Sequence, residues 1–213
     1  MSARRTHVAR FFLVRHGETE GESSIRYHGI TDVPLSELGR EQMRRAARAI
    51  EARRGEVNFG KVFSSPLVRA SEGARIITGM TAESVVAIEE FSEVHFGLFE
   101  GLTADEIRER YPDHFAIWNA DRLAPDYTYP EGESRAEFSA RVERGLDRVL
   151  AIWTPGRDGD ALLVAHRGVI RAIVRKLTNR QPVVELGSIQ TLEFDGEWRV
   201  LALDLCEHLV IAT

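Results

Sequence analysis

Cysteine is nearly absent from the chain, since Cys206 is the only one among 213 residues. A single thiol excludes an internal disulfide, and it also excludes a metal site built from several cysteines. Because disulfides are typical of oxidising compartments, this composition fits a reducing one. We therefore expect a cytoplasmic protein.

Long apolar runs are missing as well. The N-terminal stretch MSARRTHVARFFLVRHGE carries early arginines and then an apolar run, but that run covers only residues 11–14. A secretory signal core needs about 7–15 apolar residues, and a membrane span needs about 20. The sequence therefore predicts neither a secretory signal nor a membrane anchor.

The sequence has no excess of positive charge. Its net charge of -5 at pH 7 gives no reason to expect nucleic acid or an acidic membrane surface as a partner. Apolar residues make up 43% of the chain and charged residues 29%, which is typical of a folded soluble protein. No repeat, linker or composition break divides the sequence, so we expect a single domain over residues 1–213. Whether it forms a homodimer stays open.

Strand and helix patterns alternate along most of the chain. Apolar, β-prone runs predict strands at about residues 8–14, at KVFSS, at SVVAIEE and at ALLVA. The segments IQTLEF and EWRVLALDL, joined at Asp195 and Gly196, predict a closing hairpin. With helices between the strands, this order predicts an α/β fold, a three-layer α/β/α sandwich around a mostly parallel central sheet.

Apolar periodicity and capping signals predict the helices. The segment PLSELGREQMRRAARAIEARRG has a helical apolar stripe, with Ser36 as N-cap and Gly55 as C-cap. The stripe of this first helix comprises Leu38, Met43, Ala46, Ala47 and Ile50. Ser65 followed by Pro66 predicts the start of the next helix, which ends at Gly79. Two capping boxes start later helices and pair Thr103 with Glu106 and Ser134 with Glu137.

Two predicted strands end in similar motifs. Arg-His-Gly follows the first strand at residues 15–17, and His-Arg-Gly follows ALLVA at residues 166–168. Arg69 lies in the first turn of the helix after KVFSS. Because sites in open parallel sheets form beyond the carboxyl ends of strands, we expect Arg15, His16, Arg69 and His166 to meet in one crevice. The glycines would allow a sharp turn and the close approach of a ligand.

Such a cluster of imidazoles and guanidiniums would repel itself unless it bound an anion. Guanidinium groups bind phosphate oxygens through paired, charge-assisted hydrogen bonds. Helix N-termini add partial positive charge and free N–H groups. The cluster therefore predicts a phosphate site.

Four stretches of the sequence resemble the motifs of the histidine phosphatase superfamily, which includes phosphoglycerate mutases and many phosphatases. They are LVRHGET, SSPLVRASEGA, SEVHFGLFEGL and VAHRGVIRAIV, in the family's order. The resemblance runs from about residue 8 to the last predicted strand. It implies a phosphoglycerate mutase-like fold.

The resemblance also implies a mechanism. His16 would attack phosphorus and form a phosphohistidine, which water then hydrolyses. Arg15 and Arg69 would hold the non-bridging oxygens, and His166 would hold the phosphoryl group from the other side. Glu93 would protonate the leaving group. No metal or other cofactor is needed, because the arginines and histidines supply the positive charge that in-line transfer requires.

Glu93 must be protonated near neutral pH to act as this acid. Partial burial among the apolar residues of VHFGL would raise its pKa. The alternative is that Glu93 belongs to a solvated acidic loop with its neighbours Glu89, Glu90 and Glu100. The histidine of the same motif, His95, is expected to support the site.

The sequence departs from the family pattern at three positions. RYHGITDVPLSELG resembles a family stretch whose counterparts here, Arg26, His28 and Gly29, would face the substrate, but His28 replaces a small or amide residue. Glu22 stands where asparagine is common, and a carboxylate there would disfavour an anionic substrate. Arg167 stands where glycine is common, so its side chain either points to solvent or adds a further cation to the pocket.

Phosphatases and mutases of this family are expected to differ in the segment between residues 101 and 134. That segment is short here, and YPEGES resembles a stretch typical of the phosphatase branches. We therefore predict a phosphatase that acts on a small phosphorylated metabolite and resembles the α-ribazole and broad-specificity phosphatases. The alternatives are mutase-type phosphoryl transfer and a non-catalytic protein that binds phosphorylated ligands.

Overall fold

The computed structural model describes residues 8–21, 25–54 and 59–209. Glu22, which departs from the family pattern, and the predicted C-cap Gly55 lie outside the described residues.

A six-stranded mixed sheet forms the centre of the fold. Its strands are β1 (Ala9–Arg15), β2 (Phe59–Ser64), β3 (Val86–Ala87), β4 (Asp160–Ala165), β5 (Ile189–Phe194) and β6 (Trp198–Leu205). They lie in the order β3-β2-β4-β1-β5-β6. The strands β3, β2, β4 and β1 are parallel to one another, whereas β5 runs antiparallel to β1 and forms an antiparallel hairpin with β6. The prediction of a mostly parallel α/β sheet is confirmed.

Helices cover both faces of the sheet. They are α1 (Glu37–Arg54), α2 (Val68–Thr78), α3 (Ala104–Arg110), α4 (Pro112–Asp121), α5 (Arg135–Ile152) and α6 (Arg167–Thr178). Phe11 and Leu13 of β1 pack with α5 and α6, whereas Phe12 and Val14 pack on the opposite face with α1 and α2. A strand that is buried on both faces needs apolar residues throughout, which explains the unbroken run at residues 11–14.

A third apolar cluster joins α3 and α4 to the rest of the fold. Phe99, Ile107, Trp118 and Tyr127 form its buried centre. The ring of Tyr27 packs edge-on against Trp118, with 5.7 Å between centroids. The cluster therefore supports the loop at residues 25–31 through its contact with Tyr27.

Most predicted helix ends agree with the structure. The Ser36 side chain accepts a hydrogen bond from the Gly39 N–H at 3.1 Å, and Gly79 ends α2 with a φ of 67°. Both predicted capping boxes form, at the starts of α3 and α5. The predicted apolar stripe of α1 is wrong at one position, since Leu38 lies in the first turn and is 57% exposed.

Three further predictions about the elements were wrong or incomplete. The N-cap of α2 is Leu67, not Ser65, and the helix begins at Val68. Of SVVAIEE only two residues form a strand, because β3 is an edge strand that pairs with β2 alone and is flanked by 3₁₀ turns. The helix α4 was not predicted from the sequence.

Candidate active site

The two histidines lie at the carboxyl ends of neighbouring parallel strands. Arg15 ends β1 and pairs in register with Ala165, which ends β4. The His16 N–H then continues the ladder by donating to the Ala165 carbonyl at 3.0 Å. As a result the rings of His16 and His166 lie side by side, with 5.1 Å between centroids and planes inclined by 64°.

Two buried guanidiniums flank these rings. Arg69, in the first turn of α2, is only 2% exposed, and it donates to the carbonyls of Gly29 at 2.5 Å and Thr31 at 2.7 Å. The Arg15 guanidinium donates from Nη1 to the Val184 carbonyl at 3.1 Å. Its buried Nε has no hydrogen-bond partner among the described residues. Backbone carbonyls therefore hold the positive charge, and neither guanidinium forms an ion pair with a carboxylate of the residues that the structure describes.

Burial and mutual repulsion lower the pKa values of this cluster. The pKa of His16 lies well below its usual range, first because of burial and then because of Arg69 and Arg15. The pKa of His166 is lowered in the same direction by burial, Arg69 and His16. Burial, with help from Arg167, lowers the pKa of Arg15 to about 10. At neutral pH both imidazoles are therefore neutral, and the guanidiniums remain charged.

The hydrogen bonds of His16 determine its tautomer. Its Nδ1 lies 2.7 Å from the Gly17 carbonyl oxygen, which can only accept a hydrogen bond. The proton of the neutral ring therefore resides on Nδ1, and Nε2 keeps its lone pair. A nucleophilic imidazole needs this arrangement.

His166 is anchored by a residue that the sequence analysis assigned to another role. Its Nε2 lies 2.7 Å from the Ser65 hydroxyl, which also accepts a hydrogen bond from the Leu67 N–H at 3.2 Å. The buried Nδ1 of His166 has no hydrogen-bond partner among the described residues. Ser65 thus orients the second ring instead of capping α2.

Glu93 approaches the start of α6. Its carboxylate accepts hydrogen bonds from the Val94 N–H at 3.1 Å and the Gly168 N–H at 3.4 Å. A Cβ at Gly168 would lie 2.6 Å from the Glu93 carboxylate and 2.9 Å from the Phe138 ring, so glycine permits this approach. Burial raises the pKa of Glu93, although these N–H groups and the nearby arginines oppose the shift.

Protein atoms approach both motif glycines closely. A Cβ at Gly17 would lie 2.4 Å from the Gly39 carbonyl of α1, and a Cβ at Gly168 would meet Glu93. Neither glycine has a positive φ. Both are needed because protein atoms come close, and not because the chain turns sharply.

The backbone around Glu93 is held by Arg141 of α5. The Arg141 guanidinium donates to the carbonyls of Glu90, Ser92 and Glu93 at 2.8, 2.9 and 3.3 Å. It also forms a 2.7 Å ion pair with Glu133. Glu93 therefore lies on an anchored segment and not on a solvated acidic loop.

The remaining predicted residues line one pocket together with the residues described above. Together with Arg15, His16, Arg69 and Glu93, the residues Arg26, His28, Gly29 and Arg167 enclose a pocket of about 190 Å³, called here the reaction pocket. Arg26 is tied to Glu106 at 2.6 Å, and His28 donates from Nε2 to the Gly21 carbonyl at 3.0 Å. Arg167 lines the pocket with a side chain that is 45% exposed, so it combines both orientations left open by the sequence.

His95 lies elsewhere. It lines a separate surface depression with Glu133 and Arg141. Among the described residues, His95 is not part of the lining of the reaction pocket. A supporting role for its ring therefore stays a prediction.

Comparison with known proteins identifies the family of this chain. A sequence model of the histidine phosphatase superfamily (branch 1) matches residues 11–203. The chain belongs to the histidine phosphatase superfamily. It is 28% identical to an uncharacterised phosphatase, PhoE, of Bacillus subtilis over 92% of this chain and 95% of that protein. Members of this superfamily are phosphatases and other phosphoryl-transfer enzymes, and this chain is one of them.

Two further relatives show how far the likeness extends. The crystal structure of a putative α-ribazole-5'-P phosphatase from Escherichia coli superimposes with a TM-score of 0.77 at 25% identity, over 92% of this chain and 96% of that one. The bifunctional protein Rv2228c of Mycobacterium tuberculosis is 37% identical over 78% of this chain, but that match spans only 43% of its own length.

Within residues 8–21, 25–54 and 59–209, no group of three or more His, Cys, Asp or Glu side chains is arranged to hold a metal ion. Over the same part of the chain, none of the helices is long and apolar enough to cross a membrane.

A strained turn positions two arginines of the histidine phosphatase site. Buried Val184 has a φ of 62°, which is unfavourable for a β-branched residue. Its carbonyl accepts hydrogen bonds from Arg15 at 3.1 Å and from Arg167 at 3.3 Å. Both carboxylate oxygens of Asp204 hold this turn, since they accept hydrogen bonds from the N–H groups of Val183 and Val184, each at 2.8 Å. No sequence motif indicated this support.

Replacing Asp204 by alanine is expected to raise KM for a phosphate monoester about tenfold with a smaller change in kcat. Two backbone N–H groups lose their acceptor, so the turn relaxes and the Val184 carbonyl no longer fixes Arg15. We also expect a loss of stability of about 1–3 kcal/mol. Steady-state kinetics and urea unfolding test this prediction. A KM within twofold of the wild-type value would contradict it.

Proposed function

We propose that the chain is a phosphatase that hydrolyses small phosphorylated metabolites through a phosphohistidine on His16. The observation that carries this proposal is the pairing of His16 with His166, at 5.1 Å between ring centroids, between the buried guanidiniums of Arg15 and Arg69. Two neutral rings and two cations leave a net charge that a phosphate dianion would balance. The resemblance to PhoE over almost the whole chain supports hydrolysis as the reaction.

In the first step, the Nε2 lone pair of His16 attacks phosphorus opposite the ester oxygen. The P–N bond forms as the P–O bond breaks, and Glu93 gives its proton to the departing oxygen. The phosphorylated ring carries a positive charge, which the Gly17 carbonyl stabilises through its hydrogen bond with Nδ1. Arg15 and Arg69 balance the charge on the non-bridging oxygens.

In the second step, water attacks the phosphohistidine. The carboxylate of Glu93 accepts a proton from the water, the P–N bond breaks, and its electron pair returns to Nε2. Inorganic phosphate and neutral His16 are the products. Because Glu93 alternates between acid and base, a raised pKa suits both steps near neutral pH.

The chemistry of the donor set favours a reaction without a metal ion. Guanidiniums supply the fixed positive charge, and the nucleophile is a ring nitrogen that needs no activation by a metal. We therefore expect activity to persist in EDTA.

The test is the release of phosphate by the purified chain in the presence of EDTA. With 4-nitrophenyl phosphate we expect equal amounts of nitrophenol and inorganic phosphate. Incubation with 2,3-bisphosphoglycerate and a monophosphoglycerate tests the mutase alternative. Phosphoryl exchange without net phosphate release would overturn hydrolysis in favour of mutase chemistry, and binding of phosphate without turnover of either substrate would favour a non-catalytic protein.

A further inference from the structure

A second cavity, of about 210 Å³, adjoins the reaction pocket. The two share Glu93, Phe96 and Arg167 in their linings. The walls of the second cavity come from α5, from α6 and from the chain before α5. Its apolar lining residues are Val94, Phe96, Leu123, Tyr129, Phe138 and Ala172.

The position of Glu93 indicates what this cavity would hold. If Glu93 protonates the leaving oxygen, as the proposed function requires, that oxygen must lie next to its carboxyl group. The phosphoryl group then occupies the reaction pocket beside His16, and the rest of the substrate extends past Glu93. The second cavity lies at that boundary, so the inference that follows rests on the proposed function.

The second cavity is rich in positive charge. Arg167, Arg171 and Arg175 are spaced at four-residue intervals and so project from one face of α6. Arg135, the first residue of α5, completes the set. Of the lining residues that the structure describes, Glu93 alone carries a carboxylate, and it is neutral when it acts as an acid. In a chain with a net charge of -5, this lining is a local excess of the opposite sign.

One of these arginines serves the fold. The Arg171 guanidinium donates from Nε to the Pro182 carbonyl at 2.9 Å and from Nη2 to the Val183 carbonyl at 3.0 Å. These bonds tie α6 to the chain before β5. Arg171 therefore adds charge to the cavity but has a structural role of its own.

Two other arginines remain available to a ligand. Arg135 donates from Nη1 to the Arg122 carbonyl at 3.1 Å, and its buried Nε has no hydrogen-bond partner in the described part of the chain. Among residues 8–21, 25–54 and 59–209, neither Arg135 nor Arg175 forms an ion pair with a carboxylate. Uncompensated guanidiniums beside an apolar wall suit an anion attached to an apolar or aromatic group.

We propose that the second cavity binds the leaving group and selects phosphate monoesters whose alcohol carries a second anionic group beside an apolar or aromatic segment. Arg135 and Arg175 bind that anion, and Arg167 lies between it and the transferred phosphoryl group. The apolar wall contacts the segment that joins the two anions. The substrate class is therefore a doubly anionic phosphate ester.

The test uses two substrates of the same shape. In 3-carboxyphenyl phosphate the leaving group carries an anion, whereas in 3-carbamoylphenyl phosphate an amide of similar size replaces it. We expect the wild-type chain to show a kcat/KM at least tenfold higher for the carboxylate. The ratio of the two values is independent of the fraction of active protein, so partial misfolding of a variant does not disturb it.

The double variant R135Q/R175Q should lower this ratio about tenfold, because both charge-assisted contacts are lost. The matched control is Lys176→Gln, which also removes one positive charge from the last turn of α6. Lys176 pairs with Glu143 at 2.9 Å and does not line the cavity. The control should keep the wild-type ratio, and an equal fall in both variants would overturn the proposal by indicating a general charge effect.

The outcomes separate this inference from the proposed function. Equal kcat/KM values for both substrates in the wild-type chain would overturn the doubly anionic substrate class but leave the phosphatase proposal standing. If the wild-type chain hydrolysed none of the three esters, including 4-nitrophenyl phosphate, the proposed function itself would be overturned. The inference would then be overturned as well.

Discussion

Replacing His16 by alanine is expected to lower kcat for 4-nitrophenyl phosphate by about 10⁴-fold or more, since the variant lacks the atom that attacks phosphorus. The residual pocket would still bind phosphate through Arg15 and Arg69, so the Kd for inorganic phosphate should change far less. Phosphate release and isothermal titration calorimetry measure the two quantities. A loss of binding equal to the loss of rate would indicate damage to the pocket instead of loss of a nucleophile.

The same variant tests for the covalent intermediate. Turnover of a ³²P-labelled substrate, quenched in alkali, should leave label on the wild-type chain as an acid-labile phosphoramidate. The label should be absent from His16→Ala and present in His114→Ala, a control in which an exposed histidine of α4 is removed. Label that persists without His16 would mean that another residue accepts the phosphoryl group.

Replacing Glu93 by glutamine is expected to lower kcat/KM for phenyl phosphate by about 10³-fold, because glutamine cannot protonate the leaving oxygen. With 4-nitrophenyl phosphate the fall should be less than about tenfold, since nitrophenolate is a weak base that leaves without a proton. The carboxamide keeps the shape of the neutral acid beside Gly168. Steady-state kinetics with both esters measures this difference.

The pH dependence of that loss has a definite sign. Burial raises the pKa of Glu93, so its acid form persists to higher pH than that of an exposed glutamate. Activity that needs the acid is complete below this pKa and is lost as the pH rises through it. The ratio of wild-type to Glu93→Gln kcat/KM for phenyl phosphate should therefore be largest at acidic pH and fall above the pKa. Substrate ionisation cancels because it affects both proteins equally.

A neighbouring glutamate supplies the control for Glu93. Glu89 is exposed and lies four residues before Glu93. Glu89→Gln should retain the wild-type kcat/KM for both esters at every pH. If Glu93→Gln slowed both esters equally, the residue would act on binding or structure, and another group would have to supply the proton.

The strand-end motifs could be predicted from the sequence because they depend on local patterns and on one topological rule. An apolar run identifies the strand, and its carboxyl end places Arg15 and His16. Parallel order then brings His166 next to His16. The two capping boxes could also be predicted from the sequence, since all residues of a capping box lie within four consecutive positions.

Features that depend on contacts between distant segments could not be predicted. Ser65 has a serine-proline context that resembles a helix start, and only its contact with His166 reveals its role. Val184 and Asp204 are twenty residues apart and carry no recognisable pattern, yet together they fix a carbonyl for Arg15. A strained φ at a valine is determined by its surroundings and leaves no signal in the sequence.

The alignment of β1 with β4 has a consequence for how the site can evolve. Because main-chain hydrogen bonds set the distance between adjacent strands, at about 4.8 Å, they also set the gap between His16 and His166. This separation is set by the backbone and does not depend on which apolar side chains fill the interior. Substitutions inside the protein can therefore accumulate while the two rings keep their separation, but sliding one strand by a single residue would turn one ring to the opposite face.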